Sequence, residues 1–391
     1  MSSTFPTIGI LGGGQLARMS AQAATRLGLT VHILESFPDS PAGSIAHAET
    51  VGKTSDRETL RGFAAACDAI SLESEFHREE DLAVIEQAGG LLYPSSATVA
   101  LVQDKLHQKQ TLEQAGVPVA PYAPVTTIDD ARAFGAEHGY PFVLKARRGG
   151  YDGYGNATID NEEGIEAGWN RITTGDLRNE LYAEAFVSFV RELAVMVVRS
   201  RDGETKLYPV VETVQRDHIC HVVIAPATIA TAVADEVRRQ AVGAIEAIDG
   251  VGIFGVELFE SSDGSVLVNE LAPRPHNSGH YTIEACVTSQ FENHVRAVLG
   301  YPLGATTMQR PAAVMVNLLG DVDGSGAITS YPESLAIDDL HLHLYGKERS
   351  RPGRKMGHVT MLGDDVETVR RRAEEAAAVV RFGGDREEKK S

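Results

Sequence analysis

The chain opens on an apolar strand pattern, Thr7 to Leu11, then a glycine turn, a helix-spaced run from Gln15 to Leu27 and a second strand, Thr30 to Glu35. That order makes a βαβ unit. Helical patterns at Asp56 to Ala66 and Arg78 to Ala88 flank a short strand at Ala69 to Leu72, continuing an alternating α/β unit to about residue 105. A helix ending at Ala115-Gly116 and a Pro-rich connection then lead to a strand, Phe142 to Ala146, and the glycine-rich run Arg148 to Asn156. Between residues 181 and 300, short β-branched strands alternate with helical patterns at Ile229 to Asp249 and Tyr281 to Leu299, which predicts an α+β unit with antiparallel hairpins. After Pro302 come strand patterns at Ala312 to Leu319, His341 to Tyr345 and His358 to Leu362, a basic loop, and a helix from Asp365. The charged end, Asp385 to Ser391, has the composition of a disordered tail.

Composition sets the scale. With 391 residues, 43% of them hydrophobic, the chain can build more than one core, so two or three domains are expected. The formal net charge of -18 repels a nucleic-acid backbone and an anionic membrane, so an anionic ligand needs a local concentration of Lys and Arg. Neither nucleic acid nor membrane is an expected partner. Cys67, Cys220 and Cys286 stand far apart without metal-ligand spacing and read as thiols of a reducing compartment. With no basic leader and no apolar run of membrane-spanning length, the expected location is the cytoplasm.

Gly12-Gly13-Gly14-Gln15-Leu16-Ala17 fits G-x-G-x-x-A between a strand and a helix, and Glu35 ends the next strand where a ribose-binding acid belongs. Alone, this says a nicotinamide dinucleotide. Any doubly wound first turn also needs small residues for the chain to reverse, so the motif has a purely structural reading. Gly52-Lys53-Thr54 resembles the tail of a P-loop, but His47 stands where its first glycine belongs, and the segment reads as a loop.

Other segments carry chemistry. Lys145 closes a strand and precedes Arg147, Arg148 and a glycine loop whose amides can approach phosphate oxygens closely; an ordinary surface hairpin is the bland alternative. Asp263-Gly264 is a two-residue hairpin signal, and counting back from it sets Glu257 opposite Glu270. Like charges facing each other destabilise a sheet, so such a pair calls for a cation or a raised pKa. Mg²⁺ shared with nucleotide phosphates fits, with Mn²⁺ as the alternative and Asn269 and Asn277 as further oxygen donors. Lys347, Arg349, Arg351, Arg354 and Lys355 form a basic loop in an acidic protein, suited to a phosphate-bearing substrate if it is not simply solvated. Arg274-Pro275-His276-Asn277-Ser278 follows the carboxylate hairpin directly.

Together these residues resemble the ATP-grasp superfamily and, within it, the 5-(carboxyamino)imidazole ribonucleotide synthase branch. The likeness runs from Gly12 to about Leu362 and rests on GILGGGQLARM, GGYDGYGN, AEAFVSFVREL, NELAPRPHNSGHYTIEA, YGK and RPGRKMGHV. It implies a Rossmann-like preATP-grasp domain at 1–107, an ATP-grasp domain at 108–300 and a small β-rich domain at 301–391. For ATP it implies Lys105 and Lys145 on the phosphates, a cover formed by Gly150, Tyr151, Asp152, Gly153, Tyr154, Gly155 and Asn156, an adenine pocket of Glu184, Ala185, Phe186 and Val187, and Glu192 on the ribose, with Gln215, Asn269 and Glu270 nearby. Glu257 and Glu270 would carry the magnesium. Tyr151, Asp152, Arg274, His276, Asn277, Ser278, Lys347, Arg354 and Lys355 would hold aminoimidazole ribonucleotide, joined by Gln15, Glu73 and Glu75 from the first domain. Lys145, Asp152, Arg274 and His276 form the implied catalytic set, and a homodimer the implied assembly.

Two departures stand out. Tyr154 occupies a position where an Arg is expected, which leaves Arg147 or Arg148 to supply the charge, and Thr213, Val214 and Gln215 replace an expected Asn and His. The implied reaction is attack of bicarbonate on the γ-phosphate of ATP to give carboxyphosphate, then transfer of the carboxyl group to the exocyclic amine. Another ATP-grasp ligase, such as a formate-dependent glycinamide ribonucleotide transformylase, and an NAD-dependent oxidoreductase are the competing readings.

Overall fold

The computed structural model describes residues 5–150, 155–173, 180–217 and 219–383. The tail from Asp385 and the loop residues Tyr151, Asp152, Gly153 and Tyr154 lie outside them. The α/β and α+β plan expected from the sequence holds, and three sheets carry it.

The first is parallel, ordered Ala48–Val51, Thr30–Glu35, Thr7–Leu11, Ala69–Leu72. Helix Gln15–Arg26 buries Ala17, Ala21 and Ala24 against Ile8, Ile10, Val31 and Ile33, small residues at helical spacing that let helix and sheet approach. The same core takes Val295 and Val298 from helix Gln290–Leu299, far along the chain, and His294 of that helix bonds Ser71 at 2.7 Å.

A small antiparallel sheet is ordered Tyr122–Val125, Leu181–Ala185, Phe142–Ala146, Asn156–Ile159, with its own core under helices Ile128–His138 and Ile165–Thr173. The largest sheet runs Val266–Ala272, Gly252–Ser261, Phe189–Arg199, Val211–Arg216, Ile219–Ala225, Ala312–Leu319, Lys355–Gly363, His341–Leu344. Helix Thr231–Ala247 covers one end of it and helix Val366–Val379 the other. The C-terminal strands therefore extend the same sheet, through antiparallel pairing of Ile219–Ala225 with Ala312–Leu319.

Two sequence expectations change. The helical run Tyr281 to Leu299 is broken into Thr282–Ala285 and Gln290–Leu299, because Cys286 turns extended and Ser289 caps a new start through the Glu292 amide. The strand expected from His358 begins earlier, at Lys355, so that basic residue is fixed in a ladder. Among the described residues no helix is long and apolar enough to cross a membrane.

Candidate functional site

The carboxylate hairpin pairs Glu257 with Glu270, but by a different route from the one counted along the sequence. The turn has three residues: Ser261 donates to the Ser265 carbonyl at 2.9 Å, and Gly264 takes the left-handed conformation at φ 81°. That shifts the register by one, and an irregularity between Glu257 and Leu258 shifts it back. The extra residue is Asn269, so Asn269 and Glu270 both line the cleft although they are consecutive.

Burial, then the neighbouring carboxylates of Glu270 and Glu192, push Glu257 up to about 8. Burial acts on Glu270 in the same sense, but the Lys105 ammonium bonded to it prevails and holds it down to about 2. One carboxylate thus has a cation and its neighbour lacks one, a donor set that fits a divalent ion. No group of three or more His, Cys, Asp or Glu among the described residues is arranged to hold a metal, so such an ion would need ligand oxygens as well.

Lys145 points from the end of its strand to Glu184, Nζ to Oε2 2.9 Å, and Lys109 reaches the other oxygen at 3.1 Å. Lys109 escaped the sequence reading. Its signal was its place four residues after Lys105 on one helix, hence on the same face. Burial opposes the Glu184 charge, yet the ammonium groups of Lys145 and Lys109 lower its pKa overall.

Arg274 is gripped from the first unit by a two-pronged bond to Glu75, Nε to Oε2 2.5 Å and Nη2 to Oε1 3.0 Å. Beside it, burial and then Arg274 push His276 down to about 3, so its ring is neutral at physiological pH. The Ser278 amide donates to Nδ1, which leaves the ring proton on Nε2, 3.5 Å from Glu257 Oε1.

The glycine turn is already satisfied from within. Glu73 accepts from the amides of Gly14 at 2.5 Å and Leu16 at 3.2 Å, and Glu35 from Gly13 at 2.9 Å. Both the helix N-terminus and the acid that a dinucleotide would use are thus committed, which corrects the nicotinamide reading. Gly52-Lys53-Thr54 is a loop, as expected.

In the basic loop, Lys347, Arg351, Arg354 and Lys355 line the cleft, whereas Arg349 pairs with Ser325 outside it. Burial and then the nearby Arg354 lower Lys347 to about 8, and Lys347 Nζ donates to the Lys355 carbonyl at 2.6 Å. No described carboxylate forms an ion pair with Lys347, Arg351 or Arg354.

These groups enclose one cleft of about 820 Å³. Gln15, Glu73, Lys105, Lys145, Gly150, Asn156, Glu192, Gln215, Glu257, Asn269, Glu270, Arg274, His276 and Asn277 all line it. Ser278, Gly155 and the segment Glu184 to Val187 are not in its walls. Ser278 is buried beneath His276, the Gly155 carbonyl closes the loop onto Ala146, and Glu184 is drawn between two lysines. Arg147 is not a spare cation for the glycine loop either, since it is committed to Asp104 and Glu180. A smaller cavity of about 510 Å³ shares Lys105 and Glu270 with the cleft.

Three family models match successive parts of the chain: the ribonucleotide synthetase preATP-grasp domain over residues 5–103, the ATP-grasp domain over 110–291, and the phosphoribosylaminoimidazole carboxylase C-terminal domain over 313–372. The phosphoribosylaminoimidazole carboxylase of Ogataea methanolica is 40% identical over 94% of this chain and 68% of its own length. The chain spans about two thirds of the fungal carboxylases it matches. The N5-carboxyaminoimidazole ribonucleotide synthase of Synechococcus elongatus is 39% identical over 90% of this chain and 89% of its own length. Among solved structures, the N5-carboxyaminoimidazole ribonucleotide synthetase of Thermotoga maritima has 41% identity and a TM-score of 0.87, covering 97% of this chain and 100% of its own. The synthase of Aspergillus clavatus, solved with ADP and 5-aminoimidazole ribonucleotide, has 34% identity and a TM-score of 0.87, covering 96% and 98%.

Proposed function

We propose the division of labour in the cleft from one premise: the chain belongs to the N5-carboxyaminoimidazole ribonucleotide synthase family of ATP-grasp ligases. Its reaction is the ATP-dependent carboxylation of 5-aminoimidazole ribonucleotide in purine biosynthesis. The alternatives of a formate-dependent transformylase and a nicotinamide enzyme fall away.

Lys105 and Lys145 hold the phosphates of ATP, and Glu192, Gln215 and Asn269 face the nucleotide beside them. Glu257 and Glu270 would hold Mg²⁺, which when bound neutralises charge on the phosphate oxygens. Bicarbonate oxygen attacks the γ-phosphorus and ADP departs, leaving carboxyphosphate. The exocyclic amine of the ribonucleotide then attacks the carboxyl carbon, phosphate leaves, and the amine gives up a proton. Arg274, its guanidinium fixed by Glu75, orients the carboxyl oxygens, and neutral His276 offers the Nε2 proton as a hydrogen-bond donor to the bound substrates without adding charge. Most of the acceleration comes from positioning and from cations facing the transferred phosphoryl group.

The observation that carries this assignment is the basic loop. Lys347, Arg351 and Arg354 repel one another, no described carboxylate forms an ion pair with them, and they line the same cleft as the carboxylate hairpin. An anionic group of the ribonucleotide, its 5′-phosphate, answers that imbalance. ADP formation that needs both ribonucleotide and bicarbonate, and that is lost in Glu270→Gln, is the expected result. Equal ADP release without the ribonucleotide would overturn the assignment.

A cytoplasmic location is supported by three cysteines that form no disulfide. A homodimer is proposed on the family likeness, and sedimentation equilibrium checks it.

A further inference from the structure

Lys105 and Lys145 come from separate pieces of the fold, one from the first turn of helix Lys105–Gln114 and the other from the small sheet that carries the glycine loop. One junction ties those pieces together. The Lys105 amide donates to the Arg147 carbonyl at 2.9 Å, and the Arg147 guanidinium forks onto Asp104, Nε to Oδ1 3.0 Å and Nη2 to Oδ2 2.5 Å. Asp104 is only 4% exposed and caps the helix through the His107 amide at 3.2 Å. Arg147 also reaches Glu180 with its side chain and donates its amide to the Glu180 carbonyl at 3.0 Å. The residue before Lys105 and the residue two positions after Lys145 are thereby locked to each other.

We propose that Asp104 and Arg147 form a pivot that fixes the separation of the two phosphate lysines, so that Arg147 is a positioning residue for ATP and not a ligand of it. The proposal rests on the assignment of Lys105 and Lys145 to the nucleotide. A half-buried, two-pronged pair keeps its geometry far better than a single exposed contact, and charge-assisted forks are the strong kind. With the pivot in place the end of strand Phe142–Ala146, and Lys145 on it, keeps a fixed place relative to Lys105. Without the pivot, the two ammonium groups lose their common reference and the phosphate chain meets only one at a time.

The test is steady-state kinetics on Asp104→Asn, Arg147→Met and Arg147→Lys, with Lys105→Met and Lys145→Met as controls. Asn is as good a helix cap as Asp, so Asp104→Asn removes the charge while keeping the helix start. The expected result is a KM for ATP raised about tenfold or more in Asp104→Asn and Arg147→Met, with the KM for the ribonucleotide within about twofold of the parent. Arg147→Lys should recover part of the loss. In the Arg147→Met background, Lys105→Met should cost less than it does alone, the mark of coupled residues. An unchanged KM for ATP in folded Asp104→Asn, or an equal rise in both KM values with a fall in Tm, would overturn the pivot. Lysine controls that leave the KM for ATP unmoved would instead overturn the lysine assignment, and the pivot with it.

Discussion

Two regions of this molecule offer an anion site, the glycine turn at Gly12 to Gly14 and the basic loop at Lys347 to Lys355, and they differ in what the chain itself has placed opposite them. At the turn, Glu73 and Glu35 already accept from the amides a ligand would use. In the basic loop, cations crowd one another and no described carboxylate pairs with three of them. Motif quality favours the turn; leftover charge favours the loop. A site is therefore better recognised by what remains uncompensated than by the pattern that first catches the eye.

Removing the loop's charge tests this contrast most severely. Each charged contact to phosphate contributes about 1.5–3 kcal/mol, so the double variant Lys347→Met with Arg354→Ala should raise the KM for the ribonucleotide ~100-fold or more. The KM for ATP should move little, and initial-rate kinetics with each substrate varied separately reads the difference.

A smaller effect comes from pH. Lys347 has a folded pKa of about 8, below its ordinary 10.5, so it is mostly charged at pH 7 and loses its proton as pH rises through about 8. Ribonucleotide affinity should fall over that interval, by about tenfold if one charged contact is lost, and Lys347→Met should flatten that limb. The stability sign is the reverse: a lysine depressed by folding costs stability while protonated, and that cost is relieved between pH 8 and 10.5. Thermal melts of parent and Lys347→Met across that range check it.

The smallest effect belongs to the turn. Glu73→Gln weakens the bonds to the Gly14 and Leu16 amides and should cost about 0.5–2 kcal/mol in urea denaturation. It should not create NADH binding; a saturable NADH fluorescence titration in that variant would reverse the comparison.

Local pattern made most strands and helices legible, because apolar spacing alone fixes which face is buried. The facing of Glu257 and Glu270 was legible too, though through a two-residue turn that does not form; the three-residue turn and the displaced Asn269 cancel each other. Contacts that depend on distant segments meeting left no trace in spacing. Glu75 on Arg274, Lys109 on Glu184 and Arg147 on Asp104 each join elements far apart in sequence, and each fixes in place a residue that the family likeness had assigned to a ligand.

Val295 and Val298 fill the core beneath the first parallel sheet, although they arrive long after that sheet's own segment has ended. The opening third of the chain is thus not a portable cassette. Transplanted alone it would expose an apolar trough where that helix belongs, so exchange of this region between relatives must carry helix Gln290–Leu299 along, or supply a substitute with the same small footprint.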